Sequence, residues 1–167
     1  MSNAIRILGL DPGLRRTGWG VIAVDGARLS WIAHGVIAPR VDADLADRLH
    51  ALFEAACALV EAYAPHEAAI EETFVSVNAS STLKLGHARA AVMIAPVRSG
   101  VSVAEYAAKE VKKAVVGTGG ADKTQIAFMV QRLLPASGSP VADAADALAV
   151  AITHAHARRL RRIGDAA

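Results

Sequence analysis

Hydrophobic and polar positions in the first quarter of the chain form short apolar runs separated by turn residues. The runs cover residues 4–10, 18–24 and 28–37, and the separators include Asp11-Pro12-Gly13 and Asp25-Gly26. Apolar runs bounded by such residues are typical of strands joined by tight turns. The pattern therefore predicts a three-stranded meander.

A helical period replaces the strand pattern after the meander. Apolar residues recur three or four positions apart, at Leu45, Leu49, Leu52, Phe53, Ala56, Leu59 and Val60. This spacing predicts an amphipathic helix over about 44–62, which packs on the sheet and is followed by Pro65. Cys57 lies inside it and is expected to be a small core residue.

Strands and helices alternate in the next part of the chain. Residues 67–71 read as a short buried strand, and Val101-Ser-Val-Ala indicates a fifth strand. Between them, Ser80 or Ser81 is placed to cap a helix that runs to about residue 98.

Three helical stretches close the chain, over about 106–115, 123–134 and 140–162. Asp122 is a possible cap for the second of them. Ser139 is placed to cap the third, with Pro140 at its first position.

The order of elements, three strands and then helix, strand, helix, strand and helices, is that of the ribonuclease H-like fold. We therefore expect an α/β protein with a five-stranded mixed sheet flanked by helices. With 167 residues and 53% hydrophobic content the chain fits a single domain, 1–167, whose last residues, about 158–167, form a short basic tail. Neither a signal-peptide pattern nor a long unbroken apolar stretch is present, so we expect a cytoplasmic protein.

Charge is unevenly distributed, although the net charge is only +2. Acidic residues gather between 42 and 72, whereas basic residues crowd the last third, at Lys109, Lys112, Lys113, Lys123, Arg132, Arg158, Arg159, Arg161 and Arg162. This asymmetry permits a phosphate-binding face. An ordinary solvated helix end explains the arginines from Arg158 to Arg162 equally well.

Carboxylates at the ends of two predicted strands are candidates for chemistry. Asp11 follows the first strand, and Glu71 and Glu72 end the fourth. Ligand sites in α/β sheets gather at strand ends, but Asp-Pro-Gly is also a common turn. Because side chains alternate across a strand, one of the two glutamates is expected to face the same crevice as Asp11.

Two further carboxylates, Asp143 and Asp146, lie three positions apart among small apolar residues of a predicted helix. This spacing puts both on one face, where like charges repel unless a cation relieves them. Favourable placement at a helix N-terminus is the alternative, and it suits Asp143 better than Asp146. With Asp11 and Glu71 they form the oxygen-only ligand set that hard Mg²⁺ prefers in a two-metal phosphodiester site. His154 and His156 point in different directions on a helix and are read as surface or packing residues.

Several motifs together resemble the RuvC-type Holliday junction resolvases of bacteria. They are Gly9-Leu-Asp-Pro-Gly-Leu-Arg-Arg-Thr-Gly-Trp-Gly, Ala69-Ile-Glu-Glu-Thr-Phe, Leu83-Lys-Leu-Gly-His-Ala-Arg, Val115-Val-Gly-Thr-Gly and Ala142-Asp-Ala-Ala-Asp-Ala-Leu-Ala. The similarity spans about residues 5–157, and several motifs in one order are far more specific than any single motif.

The resemblance implies a homodimer that binds a four-way DNA junction and nicks two strands of like polarity, leaving 5′-phosphates. Its metal-binding acids fall on Asp11, Glu71, Asp143 and Asp146, which favours Glu71 over Glu72, and Mg²⁺ is the implied cofactor, with Mn²⁺ as a substitute. Its DNA-contacting residues fall on Phe74, Lys112 and Lys123. Cooperation with the branch-migration complex is implied by the family alone. The cleavage sequence does not follow from these residues.

Two other functions are compatible with parts of the sequence. Asp11-Pro-Gly with Thr17-Gly18 also resembles the first phosphate loop of actin-like and sugar-kinase ATPases, but those enzymes need two such domains, which 167 residues do not hold. A junction-binding module without catalysis is the second alternative.

Overall fold

The structure is a computed structural model that describes the backbone of residues 4–72 and 76–164, and the side chains of these residues as far as 160. Its strands are β1 (Ile5–Asp11), β2 (Thr17–Asp25), β3 (Arg28–Ile37), β4 (Glu67–Glu71) and β5 (Ser102–Tyr106). Its helices are α1 (Leu45–Tyr63), α2 (Ala79–Arg98), α3 (Ala108–Val116), α4 (Lys123–Leu133) and α5 (Ala142–Gly164), with a short 3-10 helix at Pro135–Ser137.

The strands form one mixed sheet in the order β3-β2-β1-β4-β5. The first three strands pair antiparallel as a meander, and β4 and β5 then continue the sheet parallel to β1. The predicted five-stranded α/β architecture is therefore confirmed.

Helices cover both faces of the sheet. Leu8 and Leu10 of β1 contact the helices α1 and α2 on one face. Ile7, on the opposite side of the same strand, belongs to a core that includes α3, α4 and α5. Because side chains alternate along a strand, this assignment also fixes which face each polar strand-end residue occupies.

The structure confirms one predicted helix cap and contradicts another. Asp122 caps α4: its side chain accepts a hydrogen bond from the N–H of Gln125 at 2.8 Å. The prediction of Ser80 or Ser81 as the cap of α2 was wrong, because Asn78 caps it and accepts from the N–H of Ser81 at 3.0 Å. Both serines lie within the first turn.

The start of α5 also differs from the prediction. This helix begins at Ala142, so Pro140 does not occupy its first position. Ser139 is engaged elsewhere: its hydroxyl accepts a hydrogen bond from Gln131 at 3.2 Å. The end of α5 reaches Gly164, and Arg158 pairs with Glu67 at 2.8 Å, so much of the predicted basic tail is helical.

Two smaller expectations concern burial and membranes. Cys57 is buried among the core residues between α1 and the sheet, as predicted. Within the described residues, no helix has the length and apolar character needed to cross a membrane.

Candidate active site

Asp11 and Glu71 end two neighbouring parallel strands. Leu10 of β1 pairs with Ile70 of β4, so the next residue of each strand emerges at the same edge of the sheet. Ile7 and Ala69 contact the core on the α5 side, and alternation places Asp11 and Glu71 on that side too. This alternation of side chains is the physical reason that Glu71 faces the same crevice as Asp11.

Close packing of α5 on the sheet brings the other two carboxylates to the same edge. A side chain on Gly18 of β2 would overlap the carbonyl group of Asp143, and one on Gly9 of β1 would overlap the carbonyl group of Ala147. Because these positions lack a side chain, the helix backbone lies directly against the strands. The first turns of α5 are thereby held beside the end of β1.

A cleft of about 380 Å³ opens at this edge, and we call it the acidic cleft. It is lined by Asp11, Glu71, Ala108, Val111, Lys112, Lys123, Ile126, Asp146 and Ala149. Three of the four predicted carboxylates therefore line one cavity together with both predicted lysines. Residues from β1, β4, α3, α4 and α5 contribute, so the cleft exists only once the chain is folded.

Asp143 lies beside the acidic cleft. Its Oδ2 accepts from Nε of Arg16 at 2.6 Å, and it is close enough to Asp11 to raise the pKa of that residue. Asp143 thus shares the electrostatic environment of the cleft while a cation already neutralises it.

Burial dominates the electrostatics of Asp11. Desolvation first, and then the negative charge of Glu71, raises the pKa of Asp11 from its usual 3.8 to about 8. The charges of Asp146 and Asp143 act in the same direction, whereas Lys123 lowers it. At neutral pH this carboxyl group therefore retains its proton unless an additional cation approaches.

Glu71 and Asp146 are perturbed in the same way. Burial is the largest cause that raises the pKa of both, and the charge of Asp146 adds to the effect on Glu71. Lys112 and Lys123 oppose these shifts without cancelling them. Carboxyl groups whose pKa values are raised by burial in a cleft are typical of functional sites.

Lys123 forms an ion pair with one of the carboxylates that line the acidic cleft. Its Nζ lies 3.4 Å from Oδ2 of Asp146, and this carboxylate raises the pKa of Lys123. The lysine is the first residue of α4, which the Asp122 cap fixes. Lys112 of α3 faces the same carboxylates across the cleft.

Sequence reasoning missed two arginines that hold the acids in position. Arg89 of α2 donates through Nε to the backbone carbonyl of Glu71 at 3.1 Å, and its Nη2 pairs with Glu105 of β5. Arg16 pairs with Asp143, 127 residues away. Both arginines lie inside the motifs that carry the family resemblance, but nothing in their spacing indicated these partners.

Phe74 lies outside the described residues. Glu72, the alternative to Glu71, is exposed, and its N–H donates to the carbonyl of Tyr106 at 2.9 Å. His154, one of the two histidines that were predicted to be surface or packing residues and not metal ligands, is a buried packing residue. It is hydrogen-bonded to the hydroxyl of Tyr106 and to Glu67, both at 2.8 Å.

The acidic cleft combines three partly buried carboxyl groups with two lysines. Oxygen ligands of this kind bind divalent cations, and lysines at the rim attract phosphate. Within the described residues, however, no three Asp, Glu, His or Cys side chains already stand as a group that could hold a metal ion. The carboxylates would have to turn towards one another to bind one.

Known proteins resemble this chain over most of its length. Residues 7–154 match the family model described as crossover junction endodeoxyribonuclease RuvC. A protein of that name from Caulobacter sp. (strain K31) is 64% identical over 158 residues, which cover 95% of this chain and 94% of that protein. The protein of that name from Maricaulis maris (strain MCS10) is 61% identical, and the alignment covers 100% of both chains.

Solved structures show the same architecture. RuvC of T. thermophilus, in complex with Holliday junction substrate, superposes with a TM-score of 0.88 at 31% identity, covering 94% of this chain and 96% of that one. The yeast mitochondrial Holliday junction resolvase Ydc2 superposes with a TM-score of 0.67 at 12% identity, over 93% of this chain and 82% of that one. The second comparison shows the fold alone.

Proposed function

Because the chain belongs to the RuvC family of crossover junction endodeoxyribonucleases, we propose that it resolves Holliday junctions by symmetric paired nicks. Hydrolysis of one phosphodiester bond in each of two strands of like polarity would leave ligatable 5′-phosphate ends. The observation that carries the proposal is the acidic cleft, in which Asp11, Glu71 and Asp146 from three separate elements line one cavity with Lys112 and Lys123.

Nucleases of this family depend on metal ions, and the residues of the acidic cleft fit Mg²⁺. We propose that Asp11, Glu71, Asp146 and Asp143 hold two Mg²⁺ ions, for which Mn²⁺ can substitute. The fit rests on an all-oxygen ligand set and on partly buried carboxyl groups whose pKa values stay raised despite the two lysines, so that a further cation would stabilise their charged form. When bound, such ions activate an attacking water and stabilise the leaving oxygen.

The residues of the chain position the DNA for this reaction. Lys112 and Lys123 attract the scissile phosphate into the cleft and offset its negative charge beside the carboxylates. Release of Asp143 from Arg16 and of Asp146 from Lys123 would free both carboxylates for a cation. We further propose that Phe74 stacks on an unpaired base near the crossover.

The partners follow from the substrate. A four-way junction presents two equivalent strands, so we propose that the protein acts as a homodimer, each subunit contributing one nuclease domain (1–167). Recombination and repair of chromosomal DNA would place it in the bacterial cytoplasm. We also propose cooperation with the junction-binding and branch-migration complex.

A nicking assay on synthetic four-way junctions with Mg²⁺ tests the function. We expect paired nicks from the wild-type chain and a loss of cutting of about a hundredfold or more in Asp11→Asn and Asp146→Asn, with junction binding retained. Binding without any nicks by the wild type would favour the non-catalytic junction-binding module. Tight ATP binding would favour the actin-like alternative. Loss of binding together with cutting in the variants would contradict the metal role of these acids.

A further inference from the structure

A second cleft, of about 540 Å³, lies beside the acidic cleft, and we call it the basic cleft. It is lined by Gly13, Leu14, Arg15, Arg16, Arg48, Ser81, Lys84 and Leu85. These residues come from the β1–β2 turn, from α1 and from the first turns of α2. The lining includes three arginines and a lysine but no carboxylate, so the basic cleft favours an anion.

The cations of the basic cleft are poorly compensated. Within the part of the chain that the structure describes, Arg15, Arg48 and Lys84 form no ion pair, and only Arg16 is neutralised, by Asp143. Arg15 and Lys84 are exposed. Like charges gathered without partners repel one another, and an anion in the cleft relieves that repulsion.

The guanidinium of Arg48 is only partly satisfied by its contacts. Its Nη2 donates to the carbonyl of Leu14 at 3.0 Å, which holds the arginine against the β1–β2 turn. Its Nε is buried and has no hydrogen-bond partner among the described residues. A guanidinium is always charged, so this unsatisfied donor leaves the positive charge of Arg48 incompletely compensated beside the cleft.

The turn that carries Arg15 and Arg16 is held in a fixed shape. The hydroxyl of Thr17 donates to the carbonyl of Gly13 at 2.8 Å and accepts from the N–H of Gly13 at 3.1 Å. Arg16 lines the basic cleft and also pairs with Asp143 beside the acidic cleft. The two clefts are therefore adjacent, and one extended polyanion could contact both.

We propose that the basic cleft binds the backbone phosphates of the DNA strand that continues from the cut position. This inference rests on the proposed function, because it takes its ligand from the substrate of the neighbouring site. A strand fits better than a single small anion, since three unpaired cations from three elements exceed the charge of one backbone phosphate. The cleft positions the strand and reads no sequence, because arginine and lysine contacts to phosphates carry no base information.

Binding of a synthetic four-way junction, measured in Ca²⁺ to prevent cutting, tests the proposal across a range of salt concentrations. Arg15→Ala/Lys84→Ala should weaken binding about tenfold at moderate salt and reduce the slope of log K against log salt by about 2, roughly 0.9 for each lost phosphate contact. Arg28→Ala is the matched control. It is the exposed first residue of β3, paired in the sheet with Asp25 at the far end of β2, and should leave the slope unchanged.

Neutral methylphosphonate linkages, placed one at a time next to the cut position, locate the contact. One or two linkages should cost the wild type affinity and cost the double variant almost nothing, because the contacting charge is already absent. Equal losses in both proteins at every linkage, or an unchanged salt slope, would overturn the proposal.

The nicking assay separates this proposal from the proposed function. Below saturation in Mg²⁺, the double variant should nick junctions more slowly than the wild type, roughly in proportion to its lost affinity, because strand binding is weakened. If the wild type binds DNA with the expected salt slope yet never cuts, the proposed nuclease function is contradicted and the proposed phosphate binding in the basic cleft is retained. If the wild type cuts and the double variant binds as well as the wild type, the basic cleft fails and the function stands.

Discussion

Gly18 of β2 lies against the backbone carbonyl of Asp143, the second residue of α5. A side chain at position 18 would overlap that carbonyl group, so the helix and the strand can approach this closely only because the residue is glycine. The contact determines how near the first turn of α5 comes to the end of β1. The position of Asp143 and Asp146 relative to Asp11 therefore depends on Gly18.

The variant Gly18→Ala should lose both stability and cutting. The added methyl group forces α5 away from the sheet, and overpacking of this kind costs about 1–3 kcal/mol of the free energy of unfolding. Urea denaturation measures the loss, and the junction nicking rate shows whether the carboxylates have moved. Gly86→Ala is the control, because a methyl group on that glycine of α2 meets nothing within 4 Å. Equal stability of the two variants would show that the contact at Gly18 tolerates a side chain.

Replacing Asp11 should change how stability depends on pH. The folded-state pKa of about 8 exceeds the usual 3.8, so the folded protein binds the extra proton between these values. Asp11 therefore does not affect the free energy of unfolding below about pH 3.8. It lowers that free energy increasingly as the pH rises through this window, and by the full amount above about pH 8.

Asp11→Asn removes that dependence. We expect the variant to melt a few degrees above the wild type near pH 8, with the difference shrinking towards pH 4, since 1 kcal/mol shifts Tm by about 2–4 °C in a domain of this size. Thermal melts over this pH range, without divalent ions, measure it. The exposed Glu61→Gln of α1 is the control and should show no such trend. A constant difference at all pH values would contradict the buried charge.

The lysines of the acidic cleft should matter more than a neighbouring exposed lysine. Lys112→Ala and Lys123→Ala should each slow cutting by about tenfold or more and make junction binding less sensitive to salt, because each removes a positive charge beside the phosphate. Lys113→Ala, on the same helix as Lys112 but exposed and outside the cleft, should change cutting much less. Salt-insensitive junction binding by the wild type would contradict the phosphate role.

Arg89 should act on cutting through Glu71. Lysine cannot reproduce the fork that joins the Glu71 carbonyl to Glu105, so Arg89→Lys should lower kcat by about tenfold while junction affinity changes little. Glu105→Gln removes the ion pair and leaves the bond to the Glu71 carbonyl, so its effect on kcat should be smaller. Single-turnover cutting rates and Kd values distinguish these effects. A loss of affinity with unchanged kcat would show that Arg89 does not position Glu71.

Local pattern predicted the elements well and their ends less well. Residues 67–71 were predicted as a strand and form β4 with those bounds. The predicted caps of α2 and α5 were wrong. Several polar residues lie near the start of each helix, and the local pattern does not show which of them binds the free N–H groups. Asn78 caps α2 in place of Ser80 or Ser81, and the hydroxyl of Ser139 accepts a hydrogen bond from Gln131 and does not cap α5.

The amino-acid sequence by itself determined which segments are strands and helices, and it placed Asp11 and Glu71 at strand ends. Hydrophobic period and turn residues encode those features among near neighbours in the chain. The tertiary structure alone decided the partners of the acids. Arg16 meets Asp143 across 127 residues, and Lys123 meets Asp146 between two helices. Such pairs depend on strand register and on how closely α5 lies on the sheet, and neither quantity can be read from the residues adjacent to the charge.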